Sequence, residues 1–313
     1  MTTHPVPSPL PGPAPSDAAL RRAAAVIPGR PFGAHLRMSW WRPLVILPVL
    51  AIAMFGVQIV LLMIVVLLEY ALTGRDPADP SMTPLMLLAT NLSLLVLAPL
   101  ALLLLVLVGG APWRSALRLG RTFSWRRLGS LLLVFGVLIG AVYAVTSMIW
   151  PLGTTPVITA TTVALIAVAL LSTPLQAAAE EVVFRGVITA AIASWVRPAR
   201  IAIVLGITVS SVLFGLAHGA GDPWLIAYYV TFGLSMALMA LISRGLEAPI
   251  AFHVMNNVIS MVIGAVSAGG GGLVIDRSAG AGGPFMLVFI ALDLVAVAIV
   301  WLLERRRATR LDG

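Results

Sequence analysis

Twenty-five consecutive residues, Leu44 to Leu68, carry no charge. A run of that length crosses a ~30 Å hydrocarbon core as a helix. It begins too late and runs too long for a cleavable signal peptide, so it is expected to anchor the chain. Seven more apolar runs follow, at about Leu85–Val108, Leu128–Trp150, Val157–Val196, Ile201–His218, Trp224–Ile242, Pro249–Ala265 and Phe285–Leu303. The composition agrees: 60% of the residues are hydrophobic, 10% are charged, and the mean hydropathy is +1.04. The expected fold is all-α, a polytopic transmembrane bundle of about eight spans.

The stretch Val157–Val196 is the irregular one. Its forty residues would make a helix of ~60 Å at 1.5 Å per residue, twice the hydrocarbon thickness, so it must bend or break. Pro174, which removes a backbone donor, is the expected break. Residues 1–43 hold six prolines in the first fifteen positions and then five arginines, and read as a disordered basic tail. Residues 112–127 alternate Trp113, Leu117 and Trp125 with five arginines and read as an interfacial segment on an anionic leaflet. The chain thus divides into the tail, N-terminal spans over 44–150, a core over 151–267, a glycine-rich loop over 268–283, and a last span with a basic end over 284–313.

All 20 basic residues are arginine. With the N-terminus in the cytoplasm, 17 of them fall in the tail, the inner loops and the C-terminus; Arg75 and Arg277 lie outside, and Arg185 lies in apolar sequence. Both termini are therefore expected to be cytoplasmic, in a cell membrane of bacterial type. The net charge of +8 reports topology and lipid headgroups, so no nucleic-acid partner is expected. The lack of cysteine excludes disulfides, thiolate metal sites and a cysteine nucleophile.

Against this background, Glu180-Glu181-Val182-Val183-Phe184-Arg185 stands out, because each charge in a bilayer costs about 2.5–3.5 kcal/mol on insertion scales and marks a functional site by default. The spacing lets Glu181 pair with Arg185 one helical turn on, leaving Glu180 free to exchange protons. His4 and His35 belong to the tail. His218 and His253 are the two histidines in apolar sequence, and the spacing of His253 and Asn257 puts them on one helix face. Two acids, two imidazoles, an amide and an arginine suit the activation of water and the stabilisation of an oxyanion, hence hydrolysis of an acyl bond. Proton relay in a secondary transporter uses similar residues and is the alternative from another class.

Glu180-Glu181-x-x-x-Arg185, Phe214-x-x-x-His218 and His253-x-x-x-Asn257, in this order, resemble the three signature motifs of the CPBP family of intramembrane proteases, which includes the CAAX-processing endopeptidases and bacterial relatives associated with bacteriocin processing and immunity. The resemblance covers about residues 155–265. It implies that Glu180 and His218 activate water, that Glu181 and Arg185 support them, that His253 and Asn257 form the oxyanion site, and that the substrate is a membrane-anchored or prenylated polypeptide. A non-catalytic immunity or partner-binding protein of the same fold is a further alternative. The family's metalloprotease label raises zinc as a cofactor, which Glu180, His218 and His253 would hold. The motifs are not H-E-x-x-H, and Asn257 suits an oxyanion better than zinc, so a metal-free glutamate mechanism is the expectation.

Three further expectations concern placement. Asp293, near the middle of the last span, reads as a carboxyl facing the bundle rather than a substrate contact. Asn91 and Gln58 read as interhelical hydrogen-bond partners. Straight helices put Glu180 and His218 ~27–30 Å from the turn at Pro198, whereas His253 lies only ~9 Å past Glu247, so straight helices keep His253 from the other two.

Overall fold

In the bilayer core a backbone N–H or C=O finds no water, so apolar runs satisfy their own hydrogen bonds by coiling. The computed structural model describes residues 25–149 and 156–311, and the runs become helices throughout. These are α1 (Arg42–Thr73), α2 (Pro84–Leu95), α3 (Leu97–Leu107), α4 (Trp125–Ile149), α5 (Ala160–Leu171), α6 (Thr173–Glu181), α7 (Thr189–Ala193), α8 (Ala199–Ala217), α9 (Pro223–Ser243), α10 (Glu247–Ser267) and α11 (Met286–Leu311). A 3₁₀ turn covers Trp113–Ala116, and a π-helical segment, Val182–Ile188, joins α6 to α7. Among the described residues, eight units are long and apolar enough to cross a membrane, with α2–α3 forming one span and α5–α7 another. Among the described residues, extended pairing is limited to three isolated bridges.

The two breaks follow from proline. Pro99 has no N–H to offer the carbonyl of Leu95, and the helix is interrupted at Val96. Pro174 sits in the first turn of α6, where its missing donor is harmless, and the long span breaks just before it at Ser172. The bends let one continuous stretch both cross the bilayer and carry Glu180 into the middle of the bundle, against α2 and α10.

The tail expectation needs correction from residue 25 onward; its first 24 residues lie outside the described ones. Residues 25–41 fold back as a strap closed by Ile27 N→His35 O and Arg37 N→Ala25 O, both 2.8 Å. Phe32, Ala34, Leu36 and His35 of this strap are fully buried. Proline content and charge hide this, because the burying residues are four positions scattered among arginines. His35 accepts from Gly33 N at 3.1 Å through Nδ1 and donates to Ser115 O at 2.9 Å through Nε2. Burial without a carboxylate lowers its pKa to about 4 despite the Ser115 bond.

Residues 112–127 are more than an interfacial segment. Leu119 N→Arg244 O (2.9 Å) and Leu246 N→Leu117 O (3.0 Å) tie this segment to the start of α10. Arg121 clamps Glu247 through both guanidinium nitrogens, and Arg127 pairs with Glu304 at 2.6 Å. Glu247 is completely buried. The first turn of α10 is therefore sunk into the protein, above a folded loop.

Candidate active site

A sunken α10 resolves the depth conflict posed by straight helices. Glu247 does not mark the membrane surface, so His253, six residues further on, meets the long bent span. Its Nδ1 lies 2.7 Å from Glu181 Oε1 and its Nε2 3.4 Å from Glu180 Oε2. The spacing argument for Glu181 and Arg185 also holds, with Nη1 and Oε1 3.2 Å apart.

The local fold at this point is unusual. A π turn over 182–188 widens the helix directly after the two glutamates, and such turns gather at functional sites. Phe184 O accepts the backbone N–H of Thr189, five residues on, and also the hydroxyls of Thr189 (2.8 Å) and Ser210 (3.1 Å). Gly186 is required here, because a Cβ would stand 2.6 Å from the carbonyl oxygen of Ala116 in the loop before α4.

The six motif residues separate into two tiers. Glu180, His218 and Asn257 line a common cavity of about 280 Å³. Glu181, Arg185 and His253 are buried behind it at 2% exposure or less. Arg185 lies over the Phe214 ring at 4.3 Å and donates to Gly233 O at 3.2 Å. Phe214 thus does more than fill space, since it stacks beneath the guanidinium and contacts the rings of both His218 and His253. In the cavity wall, His218 donates through Nδ1 to Phe214 O (2.8 Å), which leaves Nε2 as an acceptor, and its ring stacks on Tyr229 at 4.0 Å. Asn256 donates to Asn257 Oδ1 at 3.2 Å and reaches Tyr228 Oη at 3.4 Å. With its oxygen so engaged, Asn257 keeps its amide N–H groups for the cavity.

Both ring nitrogens of His253 face carboxylates, so the oxyanion role expected for it is not the one its hydrogen bonds favour. It links the two glutamates instead. A zinc triad of Glu180, His218 and His253 does not fit either. Among the described residues no group of three or more His, Cys, Asp or Glu side chains is arranged to hold a metal ion. The metalloprotease label consequently has no support here.

Several site residues went unnoticed in the sequence. Gln176 lines the cavity one helical turn before Glu180, a polar residue in an apolar run that its spacing could have flagged. Tyr229 and Arg277 carry no such signal, since they reach His218 only through the fold; Arg277 donates to His218 O at 3.1 Å from the loop before the last helix. Asn91 does bond across helices, to Ser172 Oγ (2.8 Å) and Thr173 Oγ1 (3.0 Å), yet it and Gln58 also line the cavity. Asp293 is buried in the bundle and is not among the cavity-lining residues.

The bundle thus holds a buried Glu–Glu–His–Arg network beside an Asn- and His-lined cavity. Residues 161–259, about a third of the chain, match the family described as type II CAAX prenyl endopeptidase Rce1-like, and this region is similar to that family. No curated protein and no solved structure matches the chain significantly. Its eight apolar helices, counted among the described residues, make the protein an integral membrane protein, and its matched region is similar to membrane proteases of the CAAX type.

Proposed function

We propose that Glu180 is the general base of a metal-free endopeptidase that cuts a membrane-associated polypeptide. The observation that carries this reading is the shared cavity of Glu180, His218 and Asn257, with the other charged residues packed behind it. A water held between the Glu180 carboxylate and the free Nε2 of His218 gives its proton to Glu180 as its oxygen attacks the scissile carbonyl carbon. The negative charge that moves to the carbonyl oxygen is met by the Asn257 amide N–H. Glu180 then returns the proton to the departing nitrogen as the C–N bond breaks, and a carboxylic acid and an amine leave.

His253, Glu181 and Arg185 touch none of the reacting atoms. They are positioning residues: His253 fixes the Glu180 carboxylate from behind, and Arg185 holds Glu181 against His253.

The test is cleavage of membrane-anchored and prenylated model peptides by purified protein, with and without chelator. Asn257→Ala should lower kcat by about 10²–10³-fold, the usual effect of removing one oxyanion donor. Wild-type activity should survive chelation. Full activity of Asn257→Ala, or a chelation loss restored by zinc, would overturn the mechanism. Proton-gradient-dependent uptake without cleavage would favour a transporter instead.

A further inference from the structure

The two ends of the bundle differ in charge and in closure, and the cavity belongs to only one of them. At one end, exposed Trp40, Trp41, Trp113, Trp125, Trp195 and Trp301 form an interfacial belt. The arginines of residues 30–42, 114–127, 197–200, 244 and 305–307 lie at this end. The loops of the other end carry Asp76, Asp79, Asp222 and Asp276 against two arginines. Both arginines are committed to the protein, Arg75 to Glu69 (3.2 Å) and Asp79 (3.3 Å), and Arg277 to His218 O (3.1 Å).

The catalytic cavity is walled by Pro80, Met82, Ile275 and Arg277 from the loops of the acidic end. None of its lining residues comes from the arginine-rich loops. That end is shut by the segment at 112–121, whose backbone is tied to Arg244 and Leu246 and whose Ala116 presses on Gly186. Depth agrees: Glu180 lies thirteen residues, ~20 Å, from the end of α7 at Ala193, about two-thirds of the way across the hydrocarbon from the basic end.

Arginine-rich loops stay in the cytoplasm. We infer that the cavity faces away from the cytoplasm, and that its substrate is a polypeptide segment already carried across the membrane and lying at the outer leaflet. A chain modified and retained on the cytoplasmic face would meet the closed end. This assignment rests on the protease reading of the site for its substrate, but not for its orientation.

The chain has no cysteine, so single thiols report topology without background. Ala78→Cys and Ala279→Cys, both exposed at the acidic end, and Arg200→Cys, exposed at the basic end, are each treated with a membrane-impermeant maleimide on intact cells and after permeabilisation. The first two should label in intact cells at least tenfold more than Arg200→Cys, which should label only once the membrane is opened. The reverse pattern overturns the orientation. Cleavage is then measured on a membrane-anchored peptide presented at either face of oriented vesicles; the outer presentation should be cut at least tenfold faster. Equal or preferential cleavage from the cytoplasmic face overturns the substrate assignment. Outward labelling with no cleavage from either face sustains the orientation and rejects the protease reading, and labelling of the same thiols in a Glu180→Gln background should be unchanged.

Discussion

Among the described residues, Glu247 and Glu181 are fully buried carboxylates that each pair with an arginine, and the two pairs are built differently. Glu247 is saturated: Arg121 grips both its oxygens and Ser124 N–H donates to Oε1 at 2.9 Å. Glu181 has His253 and Arg185 on Oε1, while Oε2 has no hydrogen-bond partner. The 3.2 Å approach of Arg185 Nη1 is a charge contact without good hydrogen-bond alignment, for that nitrogen also has no hydrogen-bond partner. The first pair consumes all its bonding capacity in holding a loop to a helix. The second keeps capacity in reserve and borders a cavity. A buried charge whose bonds are complete is a structural rivet, and one whose bonds are incomplete is where chemistry can be done.

This contrast can be broken most forcefully at the site. Glu180→Gln should cost about 10²–10⁴-fold in kcat, the range for loss of a general base, while the melting temperature in detergent stays near wild type. Appreciable turnover by this variant would remove Glu180 as the base and leave the Glu181 pair, like the Glu247 pair, without chemistry beside it. At the rivet the opposite pattern is expected. Arg121→Ala strands the Glu247 carboxylate and should lower stability by about 3–5 kcal/mol, with cleavage per folded molecule within about threefold of wild type.

A smaller effect sharpens the boundary between the regions. Neutral His35 fits between Gly33 N–H and Ser115 O, and a proton on Nδ1 would abolish the first bond. Its folded pKa of about 4 lies below the ordinary 6.5. The unfolded chain therefore takes up the proton first as pH falls. The stability this histidine contributes is complete above pH 6.5 and is lost progressively down to about pH 4, a change of order 3 kcal/mol. Melting curves between pH 7 and 4 should show that slope in wild type and a shallower one in His35→Gln. The smallest effect is expected from Gly186→Ala. Its methyl group must displace Ala116 O, at a cost of about 1–3 kcal/mol, and because Gly186 belongs to the π turn, kcat should fall with it. A loss of stability alone would uncouple the inner loop from the site.

The sequence carried the architecture and most of the site. Uninterrupted apolar length defined the spans, and charges in apolar surroundings exposed Glu180, Glu181 and Arg185, because burial cost is a local property. Helical spacing placed Arg185 against Glu181 for the same reason. What escaped depends on contacts between distant segments. The strap at 25–41 buries only a few side chains, among them Phe32 and Leu36, between arginines and prolines, so composition describes it wrongly. Straight helices leave the depth of His253 open, because Glu247 resembles a surface residue until Arg121 is seen to sink it. The role of His253 changed for a related reason: motif membership says which residues converge, whereas the direction of each ring nitrogen is set by the bent span on the other side.

The closed loop beneath α10 also bears on the membrane as an electrical insulator. A hydrolase must admit water to the bilayer interior, and a hydrated passage open at both faces would let protons and ions leak down their gradients. Here Ala116, Gly186 and the Arg121–Glu247 clamp lie outside the cavity lining, in the tied segment that closes the arginine-rich end. Water can then reach the glutamates from one face while the layer behind them remains a dielectric barrier, so the protein can do aqueous chemistry without discharging the membrane it sits in.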